Sequence, residues 1–142
     1  MNERHIGLTM RLINAEYLKI LDSRVKPFGI TAPQSEALYG IYTNEGLSQS
    51  RLKDLLGVSA ASLSVLIDSL SDKQLVERRP DPKDPRKTML YLTSASKKFV
   101  GEIGVIKQDI YVYLKGSMSD AQFALLAEWL EQFLENLQAT KN

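Results

Sequence analysis

The 142-residue sequence has no cysteine and one histidine, His5. Without cysteine there can be no disulfide, no thiolate metal site and no thiol-based redox switch. A lone histidine cannot build a histidine metal cluster, nor a Ser-His-Asp triad within one chain. His5 reads as an exposed helix residue. Also missing are a glycine-rich phosphate loop, paired catalytic carboxylates at a recognisable spacing and any Cys/His metal pattern, so neither an enzyme nor a bound cofactor or metal is expected. No apolar run approaches the roughly 18 residues that span a bilayer, and no basic-then-apolar leader opens the chain, so a cytoplasmic protein with no membrane partner is expected. Charge of one sign is lacking too. Eighteen Lys and Arg against 17 Asp and Glu give a net +1, which by itself argues nothing about partners. Distribution carries the information.

What is present is a chain of one-domain size whose 44% hydrophobic content is enough for a core. It shows no repeat, low-complexity segment or linker, so a single domain over 1–142 is expected. The informative stretch is Ser48 to Leu92. Ser48 is placed to cap a helix that buries Leu52, Leu55 and Leu56, and Gly57 ends it. Ser59 caps a second helix running to about Asp72, with Leu63, Leu66, Ile67 and Leu70 on one face. Two helices joined so tightly must cross steeply, which is helix-turn-helix geometry.

The period then changes. Leu75 to Arg78 and Thr88 to Leu92 alternate as two short strands, and the segment between them carries Pro80, Pro82 and Pro85. Proline fixes φ and lacks an N–H, so these residues stiffen the tip of the hairpin and stop it from pairing further. Arg78, Arg79, Lys83, Arg86 and Lys87 outnumber Asp81 and Asp84 there, and a stiff basic projection suits phosphate contact and minor-groove insertion. Together these features describe a winged helix-turn-helix. By contrast, Asp120 to Glu135 carries four carboxylates and no base.

Helices flank this module. Met10, Ile13, Tyr17, Leu21 and Val25 recur at steps of three or four from about His5 to Lys26, until Pro27-Phe28-Gly29 breaks the pattern. Thr31 and Gln34 match a capping box opening a helix with Leu38, Ile41 and Tyr42. Beyond the wing, Thr93 or Ser94 caps a long helix through Phe99, Val100, Ile103, Ile106 and Ile110, which Gly116 ends. Ser119 and Gln122 cap a last helix in which Phe123, Leu126, Ala127, Leu130, Phe133, Leu134 and Leu137 follow at helical spacing. Apolar surface of this extent on terminal helices suits burial against a second subunit. Trp129 lies off that stripe and reads as a packing anchor.

Several stretches, in this order and spacing, resemble the MarR family of transcription regulators: Gly29-Ile30-Thr31-Ala32-Pro33-Gln34, Gly46-Leu47-Ser48-Gln49-Ser50-Arg51-Leu52, Leu56-Gly57-Val58-Ser59, Leu66-Ile67-Asp68-Ser69-Leu70, Leu75-Val76-Glu77-Arg78, Asp81-Pro82-Lys83-Asp84-Pro85-Arg86-Lys87 and Leu92-Thr93. The resemblance covers most of the chain. It implies a mainly α fold with a small β-hairpin wing: a winged helix-turn-helix over about 30–93, flanked by dimerisation helices over about 5–26 and 94–138. It further implies a homodimer on a pseudo-palindromic duplex, the second helix of the pair in the major groove, Arg86 in the flanking minor groove and Asp84 as organiser of the wing. The expected DNA contacts are Ser48, Gln49, Ser59, Ser62, Leu63, Ser64, Val65, Arg78, Arg79, Lys83, Arg86 and Lys87. The expected dimer contacts are Met10, Ile13, Tyr17, Phe123, Leu126, Leu130, Phe133 and Leu134. A repressor relieved by a small phenolic or lipophilic anion is the family's usual form; no residue of this sequence names that ligand.

The sequence departs from the family pattern at Val65 and Ser69, where arginine is frequent, and at Gln74, where glycine is frequent. From Ser59 to Asp72 it has no Lys or Arg, so the bidentate grip of arginine on guanine cannot come from this helix. Serine hydroxyls, and a thymine methyl against Leu63 or Val65, are the contacts left to it. A rival reading keeps the fold and changes the partner: a winged-helix dimer that binds another protein through the uncharged helix.

Overall fold

The computed structural model describes residues 5–141. In chain order the elements are α1 (Ile6–Val25), a single 3₁₀ turn (Lys26–Phe28), α2 (Ala32–Thr43), β1 (Leu47–Ser48), α3 (Gln49–Leu56), α4 (Ala60–Asp72), β2 (Val76–Pro80), β3 (Thr88–Leu92), α5 (Ser94–Lys97), α6 (Val100–Lys115) and α7 (Asp120–Ala139). They divide into two compact units, one running to Gln108 and the other beginning at Asp109.

The helix starts follow the capping residues. Thr31 accepts from the Gln34 N–H while the Gln34 side chain accepts from the Thr31 N–H, and Ser119 with Gln122 repeats the same exchange. Ser48, Ser59 and Thr93 each accept an N–H from the first turn of the helix that follows. The Ala32 N–H donates to Asp22 Oδ1 at 2.9 Å, fastening the start of α2 to α1.

In the first unit, Leu21 and Val25 of α1, Leu38 and Ile41 of α2, Leu52 of α3, Ile67 and Leu70 of α4, Leu90 of β3 and Ile103 of α6 are fully buried. Each such side chain is worth about 1.5–3 kcal/mol relative to exposure. Helices α2 and α3 pack so closely that a Cβ on Gly40 would lie 2.8 Å from Leu52 Cδ1. The sheet is antiparallel in the order β1-β3-β2, pairing Leu47 with Leu90 and running from Val76 opposite Leu92 to Pro80 opposite Thr88.

Four local details differ from the sequence expectation. Strand β1 was not anticipated, because two residues are too few to show a period. Strand β2 runs on to Pro80; proline is admitted there as the last ladder residue, where a missing N–H ends pairing. Leu55 is exposed, since Leu52 alone occupies the buried side of the short α3. The single helix expected after Thr93 is two, α5 and α6. At the break the Phe99 N–H bonds the Ser96 carbonyl and the Phe99 ring stacks on Phe28, 5.2 Å between centroids. The buried Ser96 hydroxyl donates to the Leu75 carbonyl at 2.8 Å, so α5 is held to the strand rather than to the axis of α6.

The second unit contains the end of α6, the turn at Gly116 and α7. Tyr111 meets Phe123 edge to face, and Lys115 pairs with Asp120. No residue of α7 is buried. Trp129 is 55% exposed, so it anchors nothing within the chain.

Candidate nucleic-acid interface

Gly57 adopts φ 65° between α3 and α4, and the two helix axes turn through 112°, within the helix-turn-helix range. Leu63, Ile67 and Leu70 fix one side of α4 in the core, which leaves Ala60, Ala61, Ser62, Val65 and Asp68 on the outer side. Leu63 is 1% exposed and cannot reach a base; its place in the buried stripe excludes the contact expected of it. Val65 is 69% exposed. Ser59 caps the helix and its hydroxyl donates to Ser62 Oγ at 2.9 Å, while Ser48 caps α3 and Ser64 is partly covered.

Arg78 faces inward along the module. Its Nη1 lies 2.6 Å from Asp68 Oδ1, Nη2 donates to the Ser64 carbonyl at 3.3 Å and Nε donates to Gln49 Oε1 at 3.2 Å. One guanidinium therefore ties β2 to both α3 and α4, using the planar fork of donors that lysine lacks. Arg79 pairs with Glu77 at 2.7 Å and lies 4.5 Å from the Tyr91 ring centre.

The wing tip is held by its own backbone and by two aspartates. The Asp81 N–H donates to the Lys87 carbonyl, the Lys87 N–H to the Asp84 carbonyl, and Asp81 Oδ1 accepts from the Lys83 N–H. Asp84 Oδ1 accepts from both the N–H and Nε of Arg86, at 3.2 and 3.0 Å, and Oδ2 accepts from Nη2. The Arg86 side chain, helped by its backbone N–H and the Lys87 charge, holds the Asp84 carboxyl below its ordinary value. The Arg86 side chain is nevertheless 90% exposed, aimed by Asp84 without being covered. Lys83 and Lys87 are exposed beside it.

Between α3, the start of α4 and the base of the wing lies an open groove of about 540 Å³, lined by Ser48, Gln49, Ser50, Arg51, Lys53, Asp54, Ala60, Leu63, Arg86, Lys87 and Thr88. Arg51 and Lys53 were not among the expected contacts. Their signal was available on the polar face of α3, but only the fold sets them across the groove from Arg86 and Lys87.

The residues expected at a dimer contact divide. Met10 and Ile13 are exposed on α1, and Leu126, Leu130, Phe133 and Leu134 are exposed on α7, with Phe123 partly covered. Tyr17 is engaged within the chain: its hydroxyl donates to Glu36 Oε1 at 3.0 Å, and Lys107 Nζ donates to Glu36 Oε2 at 2.8 Å. Burial and the Glu36 carboxylate raise the Tyr17 pKa. Burial lowers that of Lys107, but Glu36 and Tyr17 outweigh it and the net shift is upward.

Comparison with known proteins points the same way as the groove. The MarR family model matches residues 28–87, the span from the turn before α2 to the wing. The multiple antibiotic resistance protein MarR of Escherichia coli K12 is 26% identical over 130 residues, covering 91% of this chain and 90% of that protein. A MarR transcriptional regulator from Methanosarcina mazei Go1 superposes with a TM-score of 0.87 at 25% identity, covering 97% of this chain and 99% of the other. The chain is similar to MarR-family regulators over nearly its whole length. The DNA complex of S. aureus MepR superposes with a TM-score of 0.85 at 26% identity, over 96% of this chain and 99% of that one. The relatives are transcription regulators and not enzymes. Among the described residues no single helix is long and apolar enough to cross a membrane.

Proposed function

We propose that this chain is a sequence-specific, duplex-DNA-binding transcription regulator. The observation that carries the reading is the preset wing: Arg86, ion-paired to Asp84 yet 90% exposed, stands across a groove from Arg51 and Lys53. Cations from α3 and from the wing around one groove suit phosphate contact, and the exposed side of α4 suits a major groove. MepR, solved with DNA, supports the same use of this fold.

The finer parts follow from the family likeness. Residues 30–93 form the DNA-binding module of one MarR-type domain, and 5–26 with 94–138 pair two copies through Met10, Ile13, Leu126, Leu130, Phe133 and Leu134. The dimer binds a pseudo-palindromic operator in the cytoplasm, acts as a repressor without catalysis, and is relieved by a small phenolic or lipophilic anion. Selection from a random duplex pool tests the core of this reading. A footprint of two half-sites about one helical turn apart, with affinity falling steeply as salt rises, is the expected result. Light scattering should return the mass of two chains at micromolar concentration. No retained duplex at low salt would return the chain to the protein-binding alternative.

A further inference from the structure

Val65 is the most exposed of the large apolar side chains on the described residues, at 69%, and it sits mid-way along α4 on the side facing away from Leu63, Ile67 and Leu70. Folding does not account for it. An exposed β-branched residue gains nothing from burial, and it is a weaker helix former than alanine. Its neighbours on the outer side are small: Ala61 and Ser62 precede it by one turn. The one charge beside it, Asp68, is paired with Arg78 at 2.6 Å. This surface therefore offers no cation, a compensated anion and a methyl-bearing projection, on a helix slim enough to approach closely. The only apolar group that a base pair shows in the major groove is the C5 methyl of thymine. Valine also holds essentially one rotamer in a helix, so its methyl groups are positioned before contact.

We propose that Val65 is the specificity-determining residue of α4 and reads a thymine methyl group in each half-site, while Arg51, Lys53 and Lys87 supply sequence-independent attraction to phosphate and Arg86 acts outside the half-site, in the flanking minor groove. This rests on the DNA-binding reading above and names what that site recognises.

The test uses the full chain and the duplex recovered from the random pool. Each thymine is replaced in turn by deoxyuridine, which removes the methyl and keeps the pairing, and affinity is measured by fluorescence anisotropy for wild type and Val65→Ala. Burying one methyl predicts about a fourfold loss for wild type at one thymine per half-site, or about fifteenfold when both are replaced. Val65→Ala should bind more weakly overall yet lose nothing further at those positions, with its melting temperature unchanged. Equal losses in both proteins, or no sensitive thymine at all, would overturn the proposal while leaving DNA binding intact. Recovery of no duplex would overturn both and assign the exposed Leu55, Val58 and Val65 to a protein partner.

Discussion

Arg78 and Asp68 form an ion pair of 2.6 Å that joins the wing strand to the outer side of α4. The pair lies at the surface, with 31% and 59% of the two side chains exposed, so its worth to stability is at most about 1 kcal/mol. Its larger role is to cancel a carboxylate on the face proposed to meet DNA. Arg78→Ala should melt within a few degrees of wild type yet lose affinity on the order of tenfold, alike on all duplexes, because a bare Asp68 repels phosphate. Arg78→Ala combined with Asp68→Asn should recover part of that loss. A direct phosphate contact by Arg78 would instead leave the double variant as weak as the single one, and anisotropy titrations distinguish the two.

Lys107 gives a prediction in alkali. Its pKa is raised above the ordinary 10.5 by Glu36 and Tyr17 against the opposing pull of burial, and the raised Tyr17 pKa acts in the same direction. A raised folded-state pKa contributes stability that is complete below the unfolded value and is lost as pH rises through the folded one. Lys107→Met should therefore cost on the order of 1–3 kcal/mol near pH 8, by leaving a partly covered Glu36 without its cation. The stability curves of wild type and Lys107→Met should converge as the pH rises through the raised folded-state value of Lys107. Urea unfolding at a series of pH values measures the gap.

Gln74 is the only non-glycine among the described residues with positive φ, at 59°. It is the left-handed residue of a Schellman ending to α4: the Leu75 N–H reaches the Leu70 carbonyl and the Gln74 N–H reaches the Ser71 carbonyl, both at 2.9 Å. The Thr93 hydroxyl bonds the Gln74 carbonyl, which any residue would provide. Gln74→Gly should stabilise the chain by roughly 0.5–1 kcal/mol, the relief of left-handed strain exceeding the added chain entropy. A melting temperature raised by about 2–4 °C is expected, and an unchanged or lower one would show that the strain is absent.

The parts of the fold legible in the sequence are those set by neighbours a few residues apart. Ser48, Ser59, Thr31 and Ser119 announce helix starts because a cap and its N–H lie within one turn, and the wing is legible because prolines act locally. Features set at long range were not legible. Phe99 stacks on Phe28 where the helix breaks, and Arg78 is tied to Asp68 and Gln49, which are 10 and 29 positions away. Leu63 shows a conflict that the sequence itself could have resolved. A residue in the buried stripe of α4 cannot also face a base, and the 3.6-residue period decides for the core.

The wing yields the sharpest contrast, because α4 carries no cation and Arg86 must then supply a larger share of the binding free energy. Arg86→Ala should weaken binding by about 1–3 kcal/mol and relax any preference for A·T pairs flanking the half-sites, where a narrow minor groove rewards a guanidinium. Lys83→Ala is the comparison: an exposed lysine that meets only phosphate should lower affinity modestly and equally on every duplex. Asp84→Ala removes the carboxylate that accepts from Arg86 Nε at 3.0 Å and from its N–H at 3.2 Å. It should resemble a milder Arg86→Ala, since the guanidinium is still present but no longer aimed. Three labelled duplexes differing only in their flanks, titrated at two salt concentrations with each variant checked for an unchanged melting temperature, separate these effects. Equal binding of wild type and Arg86→Ala on all three would remove the wing from the recognition mechanism.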